Sequence, residues 1–110
     1  MKMAHTEDRN SYYLRVNEPL KFAAQLEAAA EQASRKGFEG RFDFGGPEQF
    51  PTHSFTFAEI KAKRTLIMTD SVAYWTKIGI DVRGRSAEEN EKSAEEIASL
   101  IAESIEIHRQ

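Results

Sequence analysis

The last quarter of the chain, residues 86–108, carries the pattern that most restricts what this sequence can build. Ala94, Ile97, Ala98, Ile101 and Ile105 recur at three- and four-residue steps, and Leu100 and Ile107 widen the stripe. That is the spacing of an amphipathic helix. Ser86-Ala87-Glu88-Glu89 supplies a capping box in front of it. Early glutamates, with His108 and Arg109 at the far end, suit the helix dipole. The spacing predicts one helix over 86–108, and a helix with a single apolar face needs a second layer to cover it.

The rest of the sequence supplies that layer. Over residues 11–16, Tyr12, Leu14 and Val16 alternate with Ser11, Tyr13 and Arg15, the period of a half-buried strand. Asn17 offers an N-cap, Pro19 suits a first helical turn and Gly37 a left-handed stop. Between them Phe22, Leu26, Ala29, Ala30 and Ala33 form a slim helical stripe. Residues 38–44 alternate again, with Phe42 and Phe44 opposite Arg41 and Asp43. Gly45-Gly46-Pro47 and Pro51 then make 45–53 a loop. Phe50 is stranded in that loop, either tucked onto the core edge or serving as an anchor for a partner.

Further on, residues 54–60 read as a strand through Phe55 and Phe57. Thr56-Phe57-Ala58-Glu59 also fits a capping box, so a short helix over 57–63 is the rival. The continuous apolar run Thr65–Thr69 is expected as a covered strand. From Ser71 to Val82 the alternation sets Val72, Tyr74, Ile78 and Ile80 against Ala73, Trp75, Lys77 and Asp81. It predicts a long strand, with a helix over 71–77 as the alternative.

The order β-α-β-β-β-β-α implies an α+β two-layer sandwich: a mostly antiparallel sheet of four to five strands with two helices packed on one face. The expected core is Leu14, Val16, Phe22, Leu26, Phe42, Phe44, Phe55, Phe57, Tyr74, Ile78, Ile80, Ile97, Ile101 and Ile105. Residues 11–110 are read as a single domain, and the polar residues 1–10 as a mobile arm.

Composition removes several classes of function. With no cysteine, disulfide frameworks and thiol chemistry are out. No apolar run suggests a signal peptide or a membrane span, so the expected setting is cytoplasmic and away from membranes. The net charge of −3 is uneven: seven glutamates follow Ser86, against Lys92 and Arg109. The body is slightly basic, and neither excess nominates nucleic acid. His5, His53 and His108 lack ligand spacing, and HExxH, GxSxG, GxxxxGK and GxGxxG are absent. No metal, cofactor or catalytic residue is assigned.

What remains is a surface. If the helices cover the face carrying Tyr12, Phe42 and Tyr74, the opposite face carries Tyr13, Arg15, Arg41, Asp43, Trp75 and Lys77. Tyr, Trp and Arg are the residue types enriched at binding hot spots. With Phe50, these residues form the expected partner-binding set. The acidic outer face of the last helix is a second candidate. The leading expectation is a small non-catalytic interaction protein of the inhibitor, immunity, chaperone or adaptor kind. It would bind another protein, or itself as a homodimer. One alternative is a ligand-binding domain or enzyme with a pocket between sheet and helices, near Tyr12, Tyr74 and His53. Another is single-stranded nucleic-acid binding by the aromatic face.

Overall fold

A computed structural model describes residues 10–102 and the strand Ile105–Arg109. The expected mobile arm lies, apart from Asn10, outside the described residues. In chain order the elements are β1 (Ser11–Val16), α1 (Pro19–Arg35), β2 (Glu39–Gly45) and β3 (His53–Thr56). Two single 3-10 turns follow, Phe57–Glu59 and Lys61–Lys63. Then come α2 (Arg64–Ala73), β4 (Lys77–Arg83), α3 (Ala87–Ile101) and β5 (Ile105–Arg109).

The fold is α+β, as expected, with every strand pair antiparallel in a five-stranded sheet of order β3-β2-β4-β1-β5. The three helices supply the second layer. Between the layers Phe22, Leu26, Phe42, Phe44, Ile60, Ile67, Ile78 and Ile101 are fully buried. Burial at this scale is the main favourable term in folding. Phe44 sits at the centre of the aromatic packing, edge-on to Phe22 at 6.5 Å and stacked on Trp75 at 4.3 Å.

Local signals explain most boundaries. Gly37, at φ 93°, ends α1 with the paired bonds of a Schellman motif. Phe38 N–H donates to the Ala33 carbonyl and Gly37 N–H to Ser34, both at 3.0 Å. Pro19 opens α1 as expected, but the cap position is Glu18 rather than Asn17 and makes no side-chain cap bond. At α3 the capping box forms: Glu89 N–H donates to Ser86 Oγ at 3.2 Å and Ser86 N–H to the Glu89 carboxylate at 3.4 Å. The Ser86 hydroxyl also donates to Glu89 Oε1 at 3.0 Å, and that bond above all, then the one from the Ser86 backbone, with Arg85 nearby, holds the Glu89 carboxyl below its ordinary value.

Four expectations are corrected. The strand expected over 54–60 stops at Thr56, where the rival capping box wins: Thr56 N–H donates to Glu59 Oε1 at 2.7 Å. The run Thr65–Thr69 is helix, inside α2, so the helix layer has three members rather than two. A short apolar run satisfies a covered strand and a covered helix equally. The longer spacing decides it here, because Ile60, Ile67, Ser71 and Trp75 are all buried at steps of seven, four and four.

The long strand expected over 71–82 is therefore only Lys77–Arg83, and its alternation before Lys77 is coincidental. Tyr74 and Trp75 exchange roles as a result. α2 ends with the Tyr74 and Trp75 N–H groups both donating to the Asp70 carbonyl. That turn leaves Tyr74 70% exposed and Trp75 4% exposed. Finally, the closing helix ends at Ile101 rather than 108, and Ile105–Arg109 pair with β1 as a fifth strand. Ile-Glu-Ile-His-Arg satisfies period two as well as period 3.6, and an open sheet edge beside β1 favours the former.

Candidate functional site

The helices leave one face of the sheet open, and strand register arranges its side chains in rows. Glu39 of β2 pairs with Arg83 of β4. The next row is Thr56, Arg41 and Asp81, across β3, β2 and β4. Then come Ser54, Asp43, Gly79 and Ser11, reaching β1. Gly45, Lys77 and Tyr13 form the fourth row. β5 continues beyond β1, with His108 in register with Tyr13 and Glu106 with Arg15.

Six of the seven sequence-predicted residues thus belong to this face. Tyr13 is 56% exposed, and Arg15 and Arg41 are exposed. Asp43, Lys77 and Phe50 are half-buried. Trp75 is the exception, a core residue packed among Phe44, Phe55 and His53. Alternation already set Asp81 on the side of Lys77, but only the pairing of β4 with β2 brings Asp81 and Arg83 next to Arg41 and Glu39.

The charges close into a network. Ser54 Oγ donates to Asp43 Oδ1 at 2.7 Å, and Arg41 Nε lies 3.3 Å from the same oxygen. Arg41 Nε is also 3.8 Å from Asp81 Oδ2, to which Arg83 Nη2 donates at 2.8 Å. That hydrogen bond, before any longer-range attraction, holds the Arg83 guanidinium above its usual range. Exposed pairs of this kind add little stability, but they fix the orientation of the charges.

Phe50 does not tuck onto the core edge. The β2–β3 loop, which contains a cis Phe50–Pro51 peptide, folds over the open face rather than onto the core edge. The ring lies across two glycines, where a Cβ would clash at Gly45 and crowd the ring at Gly79. A Cβ at Gly79 would meet Phe50 Cζ at 3.3 Å, and one at Gly45 would meet the Gln49 carbonyl at 2.6 Å. Lys77 Nζ sits 4.6 Å from the ring centroid, within cation–π range. Beside the ring is a depression of about 390 Å3, lined by Asn10, Arg41, Asp43, Pro51 and Asp81 among others. Asn10 Oδ1 is buried without a hydrogen-bond partner among the described residues.

The other candidate surfaces are less organised. The outer face of α3 carries Glu88, Glu95 and Glu96, but Glu96 is 3.9 Å from Lys36 and Glu89 is 3.5 Å from Arg85. Lys61 and Lys63 sit in the second 3-10 turn. Among the described residues, no three His, Asp or Glu side chains group as a metal site, and no helix is long and apolar enough to cross a membrane. Comparison with protein-family models, curated proteins and solved structures returns no match.

Proposed function

We propose that this chain is a non-catalytic, cytoplasmic protein–protein interaction module that docks its partner on the open face of its sheet. The observation that carries this reading is the side-chain set of that face: Tyr13, Arg15, Arg41 and Lys77, presented by adjacent strands with no helix over them among the described residues. Aromatic and arginine side chains on a rigid element make good anchors because little conformational entropy is lost when they dock. The lack of cysteine fits a reducing compartment.

The alternatives lose support from particular residues. A ligand pocket between sheet and helices would occupy the space filled by Phe22, Phe42, Phe44 and Trp75. A base-stacking surface loses Trp75 to the core, and Lys77 already occupies one approach to Phe50.

The test uses wild type and a Tyr13→Ala, Lys77→Ala double variant as paired baits in lysate of the native organism, with native mass measured for each. The expectation is a protein, or a second copy of the chain, that wild type retains and the variant releases at an unchanged thermal midpoint. Retention by both baits would sink the proposal.

A further inference from the structure

We propose that the outer edge of β5 pairs antiparallel with β5 of a second copy of the chain, joining the two sheets into one. This surface is separate from the open face and does not rest on the docking role proposed for it. β5 ends the strand order, and its side away from β1 meets no other strand among the described residues. Such an edge presents unpaired N–H and C=O groups that template a further strand.

The two edges of the sheet differ. β3 is four residues long, with Pro51 shortly before it and a 3-10 turn directly after it. Short length and proline are common means of blunting an edge. β5 instead pairs with β1 over five consecutive positions without a bulge. Its sequence, Ile-Glu-Ile-His-Arg, contains no proline, glycine or lysine. The chain enters β1 on the side away from β5, because Ile80 N–H of β4 donates to the Asn10 carbonyl at 3.0 Å.

The sequence of β5 is complementary to itself in one register. A two-fold axis relating two antiparallel edges runs normal to the sheet, so residues directly opposite share a face and the axis passes at a residue. Centred on Ile107, the pairing uses the whole of β5 and sets Glu106 opposite the second copy's His108. Carboxylate against imidazole is a favourable cross-strand pair, since imidazole keeps an N–H donor in either protonation state. Centred on Glu106 or on His108, the pairing uses less of the strand and sets like opposite like, which is unfavourable for charges.

The register of β5 on β1 extends this match. Arg15 lies opposite Glu106 and Tyr13 opposite His108. One row across the axis therefore reads Arg15, Glu106, then the second copy's His108 and Tyr13, with base and acid alternating. The row through Leu14 and Ile107 is apolar on both sides of the axis. Because the axis is normal to the sheet, the open faces lie side by side. The second copy extends the surface that carries Tyr13 and Arg15 instead of covering it.

The chain has no cysteine, so introduced cysteines report the register. Wild type is followed by sedimentation velocity at rising concentration, and should reach twice the mass of one 12.5 kDa chain. Full-length Glu106→Cys and His108→Cys chains are oxidised separately and as an equal mixture. A disulfide-linked dimer is expected in the mixture and lost in either variant alone, since only residues directly opposite come within disulfide range. Ile107→Cys should link to its own copy. A single-chain mass at every concentration overturns the proposal, as does linkage of Glu106→Cys or His108→Cys to itself. A dimer that Tyr13→Ala, Lys77→Ala dissociates, while the mixture stays unlinked, would put the second copy on the open face and refute the edge.

Discussion

Replacing Trp75 by alanine, with Tyr74→Ala as its neighbouring control, tests the point on which the whole face assignment turns. Trp75 is 4% exposed and stacks on Phe44 at 4.3 Å with an interplanar angle of 16°. A buried tryptophan withdraws about 200 Å2 from water, which at about 25 cal/mol per Å2 gives an upper bound near ~5 kcal/mol. Measured truncations of this kind cost about 3–5 kcal/mol, because the cavity collapses only in part. Against a domain stability of about 5–15 kcal/mol this is a large fraction, and it lowers the thermal midpoint by about 15 °C. Tyr74, 70% exposed, should change stability by less than about 0.5 kcal/mol when truncated. Urea unfolding followed by far-ultraviolet circular dichroism serves all three proteins, since the variant lacks the chain's single tryptophan. A larger loss for Tyr74→Ala than for Trp75→Ala would restore a strand through residue 75 and refute the helix–turn reading of this segment.

Three further outcomes are expected. Ser71, 2% exposed in α2, has a hydroxyl without a hydrogen-bond partner among the described residues; Ser71→Ala should raise stability by about 1 kcal/mol in urea melts, since burying an unmade hydrogen bond is costly. Gly45→Ala should destabilise more than Gly79→Ala, because the new Cβ meets the Gln49 backbone carbonyl in one case and only the end of the Phe50 ring in the other; thermal melts rank them directly. Glu89 has a folded pKa below its ordinary 4.5, so its contribution is present above that value and is lost as pH falls through the lower folded one. The stability difference between wild type and Glu89→Gln should therefore shrink as pH drops below 4.5 and stay constant above it, and a difference that grew on acidification would contradict the capping geometry.

Several elements were legible because short-range chemistry alone determines them. The Gly37 stop, the Ser86 capping box, the alternation of β1 and β2 and the α1 stripe each depend on residues within one or two turns of one another. Residues 64–76 and 102–109 were not legible, for a shared physical reason. Both carry apolar residues that fit period two and period 3.6 about equally, so local preference leaves them near balance. The neighbours break the tie: α1 and the Phe44 cluster receive Ile67, Ser71 and Trp75 as a helical stripe, and the open edge of β1 takes Ile105–Arg109 as a strand.

The candidate site divides along the same line. Alternation in β1 and β2 sufficed to put Tyr13, Arg15, Arg41 and Asp43 on one face, because successive strand side chains point to opposite sides. Only the tertiary structure could bring β4 between β2 and β1, and so set Asp81 and Arg83 beside Arg41. The same packing laid Phe50 over Gly45 and Gly79 and drew Trp75 inward. The sequence by itself determined an α+β chain with a polar, aromatic-bearing sheet face. Which aromatics that face keeps was decided by packing between residues far apart in the chain, where no local pattern reaches.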